Sequence, residues 1–375
     1  LRGQEAFRQP HSEKSLNAAT EYFRHALDID PRFAEAYAGL CQAELGRYIL
    51  SRNIADFGDS ERACHRALTL NSDMPRVRAA LGTLYLFSGQ YEKAEEELRT
   101  ALEANPNLID AYADLAETLE YQGRLGEAED LFESMVLRQP GYWYAHNALG
   151  NFLYRHSRYQ EAASSWTTVT QLDSDNEKGF NNVAAAHYML GDFAAASRAY
   201  EKSVEIEPYA DNYSNLGLSY FYDGRYEEAA RMQQRALELS PKDPRVYGRL
   251  ATAYQYAGNE EAALPIYQEA ISLLKDQLAI NPNEIRYIRY LAVYNASIGQ
   301  ISEAQTTIER ALELQPESSG VRFDAAKVAL AAGEIDAALA SLENAKELGY
   351  STNIIRSDPA FEPLHSDERF ETMSK

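Results

Sequence analysis

The side chains that could support chemistry are few and widely spaced. The 375 residues include seven histidines and two cysteines, Cys41 and Cys64. No two histidines have the spacing of a zinc-binding HExxH helix, and two cysteines are too few for a cysteine-rich metal site. The sequence also contains no GxSxG, Walker A or GxGxxG motif, which would indicate hydrolase or nucleotide chemistry. We therefore predict no enzyme, no metal and no cofactor.

Composition restricts the partners. The net charge is −21, from 57 acidic and 36 basic residues, and such a surface repels phosphate backbones. This predicts no binding to nucleic acid. No apolar run approaches the roughly 18 to 20 residues that span a bilayer, so we expect no membrane insertion by this segment.

The sequence leaves two alternatives for the cellular compartment. The chain begins at Leu1, inside a repeat, and we interpret it as a segment of a longer protein. No secretion leader is visible, which favours the cytoplasm, and the periplasm is the alternative for a part of a membrane-anchored regulator. Cys41 and Cys64 fall on buried positions of one helix pair that face each other's helix. We expect buried thiols there, with a disulfide as the alternative in an oxidising compartment.

A repeat of about 34 residues positions all of these side chains. For each unit the pattern predicts a first helix (helix A), a tight turn at glycine and a second helix (helix B). A proline such as Pro106 or Pro140 closes the unit. An alanine lies five residues after each turn glycine, where two helices must approach closely, as in the pair Gly123 and Ala128. The turn glycines are Gly89, Gly123, Gly191, Gly224, Gly258, Gly299 and Gly333.

This pattern resembles the tetratricopeptide repeat family. The resemblance covers about residues 15 to 349 and implies an all-α, right-handed α-solenoid of about nine helix-turn-helix repeats. We expect a solenoid over 1–349, with a partial first unit at 1–31, and a C-terminal capping segment at 350–375. The opening segment is similar to the sensory regions of bacterial winged-helix regulators and receptor kinases.

Four departures from the repeat make local predictions. Ser157 replaces a turn glycine, and Gln233 replaces a bulky core residue. About seven extra residues predict a long loop near 47–57, and a similar insertion predicts an extended helix near 260–280 with a kink at Pro265.

The resemblance implies that helix A of each unit faces a concave groove. Its non-core positions in the central units carry amides, which suit a peptide backbone, and tyrosines, which add apolar area. We predict that the groove residues for a protein or peptide segment are Tyr144, Asn147, Asn151, Tyr154, Arg155, Lys178, Asn181, Asn182, Tyr188, Asn215, Phe221, Arg245, Arg249 and Gln255. The alternative is that asparagine is simply common at these positions.

The sequence thus favours a non-catalytic scaffold that binds a protein or peptide in the groove. One alternative is a regulatory or sensory region of a larger bacterial signalling protein, either a transcription regulator or a kinase. Another alternative is a self-assembly module that forms a homo-oligomer.

Overall fold

The computed structural model describes residues 2–7 and 13–373. Part of the predicted first unit, at residues 1 and 8–12, and the last two residues of the predicted cap lie outside this range. All regular elements of the described residues are helices. The chain divides into unit 1, which runs to His156 and includes Gln171–Ser174, and unit 2, which comprises Ser157–Thr170 and the residues from Asp175 onward.

The helices of unit 1 alternate between the predicted A and B roles. They are α1 (Arg2–Phe7), α2 (Glu13–Ile29), α3 (Ala34–Ser51), α4 (Ile54–Leu70), α5 (Pro75–Phe87), α6 (Tyr91–Ala104), α7 (Ile109–Tyr121), α8 (Leu125–Arg138) and α9 (Trp143–Arg155). The odd-numbered helices α3, α5, α7 and α9 contact one another in succession, so they form the inner layer of this stack.

Unit 2 continues the alternation and ends in three short helices. Its elements are α10 (Tyr159–Leu172, whose last residues belong to unit 1), α11 (Glu177–Met189), α12 (Phe193–Ile206), α13 (Ala210–Tyr222), α14 (Tyr226–Leu239), α15 (Pro244–Tyr256), α16 (Glu260–Ile280), α17 (Ile285–Ser297), α18 (Ile301–Leu314), α19 (Ser319–Ala331), α20 (Ile335–Glu347), α21 (Thr352–Ser357), a 3-10 helix (Pro359–Leu364) and α22 (Glu368–Met373). Here α13, α15, α17 and α19 form the inner layer.

A left-handed residue ends each A helix of the regular repeats. At Gly89 the φ angle is +75°, and a Cβ atom there would meet no neighbour within 4 Å. Backbone conformation, and not lack of space, therefore selects glycine. Ser157 adopts the same conformation, with a φ of +60°, even though it carries a Cβ. The repeat register thus continues through the position where the glycine is missing.

Close contact between paired helices explains the small residues. A Cβ on Gly82 of α5 would lie 2.5 Å from Cγ of Leu98 on α6. Ala94 and Ala128, which follow the turns, are fully buried. Any larger side chain at these positions would force the two helices apart.

Substituting Ala128 with leucine tests this packing. The variant is expected to lower the free energy of unfolding of unit 1 by about 1–3 kcal/mol through overpacking. Hydrogen exchange should show lost protection mainly in α7, α8 and α9, because repeats couple to their neighbours. Ala104→Leu, at the exposed end of α6, is the matched control. Uniform loss of protection throughout unit 1 would contradict the nearest-neighbour packing.

The predicted loop near 47–57 is wrong, because the extra residues lengthen α3 and α4. Only Arg52 and Asn53 separate the two helices, with Arg52 at a φ of +56°. Asp56 holds the added turns together, since it accepts from Ser51 Oγ at 2.9 Å and pairs with Arg47 at 3.2 Å. Continuing the helices satisfies backbone groups that an open loop would leave to solvent.

Cys41 on α3 and Cys64 on α4 are both buried and face each other, and their sulfurs form a disulfide. The expectation of two buried thiols is therefore corrected. In the second insertion, α16 runs for 21 residues and contains Pro265.

Candidate binding surface

The inner layer of unit 1 presents one continuous row of polar and aromatic side chains. On α7 they recur at intervals of three or four residues and so share one side of the helix. Those on α9 do the same, opposite α7. We call this surface the unit 1 face, and it comprises Thr83, Asp110, Asp114, Glu117, Tyr121, Tyr144, Asn147 and Asn151.

Hydrogen bonds between neighbouring helices fix the geometry of the unit 1 face. The hydroxyl of Tyr142, which precedes α9, donates to Asp110 Oδ1 at 3.0 Å. Arg155 makes a bidentate pair with Glu120, at 2.9 and 2.6 Å. Because these contacts link α7 to α9 at both ends, the side chains between them are held in a preformed arrangement.

Asp114 is the least conventional group of the unit 1 face. Burial raises the pKa of its carboxyl to about 7, and repulsion from Glu117 and Asp110 adds to this effect. Thr83 Oγ1 lies 2.6 Å from Asp114 Oδ2 and 2.9 Å from the carbonyl oxygen of Ala79. The Thr83 hydroxyl donates toward both oxygens, and its hydrogen bond to Asp114 lowers the pKa of the carboxyl against the effect of burial. Burial is the larger effect, so the pKa of Asp114 is raised despite this hydrogen bond.

Two neighbours of Asp114 share its environment. Burial raises the pKa of Glu117, against the opposing effect of Arg155. Burial also raises the pKa of the Tyr144 phenol well above its ordinary value, and the carboxylates of Asp114 and Glu117 add to the shift. Tyr144 thus lies among the carboxylates of α7 as a neutral hydrogen-bonding group.

Exposed aromatic rings lie at the C-terminal ends of the inner helices of unit 1. The Tyr121 side chain is 63% exposed and stacks on Tyr91, with ring centroids 5.1 Å apart and planes 9° apart. Phe87 is 41% exposed at the end of α5. Exposed rings beside carboxylates provide a surface that can pack on a ligand.

The predicted groove residues divide between the two units. Tyr144, Asn147, Asn151 and Tyr154 are half-buried on α9, and Arg155 is occupied by its pair with Glu120. The structure therefore brings this first group together on one helix. The others, from Lys178 to Gln255, lie in unit 2.

In unit 2 several predicted residues are engaged with their own chain. Arg245 pairs with Asp211 and, at 3.0 Å, with Asp243. Arg249 donates to Ser214 Oγ at 2.8 Å, and Gln255 Oε1 accepts from the Tyr267 hydroxyl at 2.9 Å. Lys178 is exposed, and Asn181, Asn182 and Asn215 are half-buried.

Phe221 and Tyr188 do not line an open groove. Phe221 is 8% exposed and packs its ring against Tyr222, Tyr226 and Tyr256, so it belongs to the core. Tyr188 contacts the ring of Tyr222 at 5.6 Å and lies in the cluster that contains the C-terminal helices. Burial raises its pKa. Both predictions placed the residue on the correct helix but missed what covers it.

The C-terminal segment covers part of the inner side of unit 2. Ser351 Oγ donates to the carbonyl oxygen of Met189 on α11 at 3.3 Å, and Asn353 Nδ2 donates to the same oxygen at 3.4 Å. Tyr350 stacks on Phe323 of α19, with centroids 4.2 Å apart. The segment therefore spans from the last repeat back to the beginning of unit 2.

Asp358 is the polar centre of this contact and is only 2% exposed. Its Oδ2 accepts from the Tyr222 hydroxyl at 2.9 Å and pairs with Lys327 Nζ at 2.6 Å. Its Oδ1 accepts the backbone N–H of Ala360 at 3.0 Å and so begins the 3-10 helix. One carboxylate thus joins α13, α19 and the cap.

Sequence reasoning missed Thr83, Asp110, Glu117 and Tyr121 as members of the unit 1 face. Asp114 precedes Leu115-Ala116 as Asn182 precedes Val183-Ala184. The repeat alignment therefore places Asp114 at the same helix A position as the predicted groove residue Asn182. The predicted groove pattern consists of amides and tyrosines, so it does not include a carboxyl at that position. Among the described residues no group of three or more His, Cys, Asp or Glu could hold a metal ion. Within the same part of the chain, no helix combines the length and apolar character needed to cross a bilayer.

Comparison with known proteins agrees with this architecture. Tetratricopeptide repeat sequence profiles match residues 55–119, 113–176, 180–206, 208–276 and 294–349. Hsp70-Hsp90 organizing protein 2 of Arabidopsis thaliana is 22% identical over 243 residues, which cover 62% of this chain and 40% of that protein. Type IV pilus assembly protein PilF of Pseudomonas aeruginosa is 29% identical over 128 residues, which cover 34% of this chain and 51% of that protein.

The chain therefore spans between two fifths and about half of the length of these relatives. The solved structure of a tetratricopeptide repeat protein from Parabacteroides merdae superimposes with a TM-score of 0.53 at 19% identity, covering 71% of this chain and 99% of that one. This likeness concerns the fold. Since the family profiles together match well over half of the residues, the chain belongs to the tetratricopeptide repeat family.

Proposed function

We propose that this chain is a non-catalytic protein-interaction module whose unit 1 face binds an extended segment of a partner protein. Two relatives are named for organizing Hsp70 and Hsp90 and for assembling type IV pili, which supports interaction with other proteins as the general role. The observation that carries the proposal is the row of Tyr144, Asn147 and Asn151 on α9 opposite the carboxylates of α7.

The chemistry of the row fits a peptide backbone. An asparagine amide offers donors and an acceptor together, so it can bind both the N–H and the C=O of an extended chain whatever its side chains. Tyr144 adds apolar area with little rotamer entropy to lose on binding. The cross-helix contacts at both ends of α9 hold these groups in place before a ligand arrives, which lowers the entropic cost of binding.

Unit 2 is less suited to the same role. Its C-terminal segment already contacts α11, α13 and α19, with Asp358 buried at the centre. A second segment would have to compete with this intramolecular one, which is tethered and hence present at high effective concentration. The proposal therefore assigns the ligand to unit 1.

Binding to a selected peptide tests the proposal. Peptides of about nine residues are selected on the immobilised chain from a random display library, and the dissociation constant of an enriched peptide is measured by fluorescence anisotropy. Asn147→Ala with Asn151→Ala is expected to weaken binding by about 1–3 kcal/mol, because the ligand loses hydrogen bonds to both amides. Asn107→Ala with Asn344→Ala, which removes two exposed amides outside the inner layers, is the control.

A second variant tests the alternative that the peptide binds to unit 2. Asn182→Ala with Asn215→Ala removes the amides at the aligned positions of unit 2. Loss of affinity in this variant, with the Asn147 and Asn151 variant unchanged, would move the site to unit 2. A library that yields no binder would count against peptide binding by the chain as a whole.

A further inference from the structure

We propose that the unit 1 face selects a basic segment, and that one lysine or arginine side chain of the ligand sits between Asp114 and Glu117 against the ring of Tyr121. This inference rests on the proposed function and specifies the chemistry of its ligand. It makes the partner a cationic peptide, whereas a binder of any extended chain would need only the amides of α9.

The first support is the charge along α7. Asp110, Asp114 and Glu117 all project from the inner side of this helix, and Glu120 follows one turn after Glu117. Like charges three or four residues apart on a helix repel each other. Such a row is unfavourable for the free protein, and a cation placed along it would relieve the repulsion.

The second support is that the arginines of the inner helices are already used. Arg155 forms its bidentate pair with Glu120, and Arg76 at the start of α5 pairs with Glu35 at 2.9 Å. Among the ion pairs of the described residues, none involves Asp114 or Glu117. An ionised Asp114 therefore has no ion pair within its own chain, and Arg155, which is paired with Glu120, only partly offsets the charge of Glu117.

The third support is the combination of partial burial and an exposed ring. Asp114 and Glu117 are half-buried, so an ion pair with them is less screened than one on an open surface. Tyr121 follows Glu117 by one helical turn, and its exposed ring offers a cation–π contact to the same ligand group. An arginine fits this arrangement best, because its flat guanidinium can stack on the ring while it donates to both carboxylates.

A solvated acidic surface is the alternative explanation, because the whole chain is acidic. The outer helices carry exposed carboxylates such as Glu96 on α6 and Asp130 on α8. These would attract a basic peptide weakly and without a defined place. The two explanations differ in which carboxylates control the affinity.

The test uses the full chain and three pools of fluorescein-labelled peptides of about nine residues, whose alternate positions carry arginine, glutamine or glutamate. Dissociation constants are measured at physiological ionic strength for three proteins. The first is the unsubstituted chain, and the second is the double variant Asp114→Asn with Glu117→Gln. The third is the control double variant Glu96→Gln with Asp130→Asn, which removes the same charge from the outer helices. Circular dichroism verifies that each variant is folded.

We expect the arginine pool to bind the unsubstituted chain at least about tenfold more tightly than the glutamine pool. The Asp114 and Glu117 variant should lose that preference, and the control should keep it. The affinity should also rise from pH 6 to pH 8 as Asp114 ionises; the groups facing it are Asp110 and Glu117 on α7, Tyr144 on α9 and the uncharged Thr83 on α5.

Equal losses in the variant and the control would overturn the inference in favour of general electrostatic attraction. Equal binding of the arginine and glutamine pools, with both weakened by Asn147→Ala and Asn151→Ala, would leave the proposed function standing and remove the basic ligand. If no pool binds, the inference of a basic ligand fails. The proposed function fails as well only if the display selection also yields no binder.

Discussion

Asp358→Ala is expected to lower the free energy of unfolding of unit 2 by about 3–5 kcal/mol, the usual cost of removing one partner from a buried ion pair. Lys327 would lose its carboxylate, which lies 2.6 Å away, and the Tyr222 hydroxyl would lose its acceptor. The 3-10 helix would also lose its cap at the N–H of Ala360. Each lost contact leaves a partly buried polar group without its partner.

Urea unfolding measures the total loss in the free energy of unfolding, and hydrogen exchange shows which helices lose protection. Protection should fall in three separate stretches of sequence, which are the cap, α19 and the region from Met189 to Tyr222. Asp336→Ala is the matched control, because that carboxylate is 88% exposed and its pair with Arg369 lies at the surface. If the two variants unfold alike, or if protection falls only in the cap, Asp358 does not join the three elements.

Asp114→Asn is expected to stabilise unit 1 at pH 8 by up to about 4 kcal/mol, since about three pKa units at about 1.4 kcal/mol each separate the folded and unfolded carboxyl. The folded pKa is raised to about 7 from an ordinary 3.8. The folded state therefore binds the proton more tightly, so this group costs nothing below about pH 3.8. The cost grows as the pH rises between the two values, and it is complete above pH 7.

The asparagine side-chain oxygen can accept from the Thr83 hydroxyl as Asp114 Oδ2 does, so the variant keeps the hydrogen bond and removes the charge. Thermal unfolding of both proteins from pH 4 to pH 8 should give curves that coincide at the acidic end and separate steadily toward the alkaline end. Asp130→Asn, an exposed change on α8, should show little separation at any pH. A constant difference over the whole range would mean that the carboxyl of Asp114 titrates normally.

The repeat itself could be predicted because its determinants are local. The left-handed turn at Gly89 and the buried Ala128 each depend on residues within one helix pair, so the sequence period identifies them. Ser157 shows that the period outweighs a single unfavourable residue. Helix A residues such as Asn147 and Asn151 could be placed on the inner layer for the same reason.

The remaining features depend on contacts that the period does not encode. The extra residues after Cys41 could form a loop or longer helices, and tertiary contacts such as Arg47 with Asp56 favour the helices. Tyr188 and Phe221 were predicted to line the groove because the repeat pattern does not show the residues that pack on them. Those residues are the distant C-terminal segment for Tyr188 and neighbouring aromatic rings for Phe221. The contact between Tyr222 and Asp358 joins residues 136 positions apart, and no repeat position or motif encodes it.

Because of that contact, unit 2 is not an open array of repeats: its C-terminal segment is bonded back to α13, near its beginning. In an open array a repeat can be inserted or deleted at the cost of its own stability and two interfaces. Here the number of repeats between Tyr222 and Asp358 determines whether the two residues meet, so a change in that number would separate them. Unit 2 should accordingly tolerate substitution at exposed positions but not a change in repeat number. Length variation among relatives with the same closure should be confined to the helices before α11.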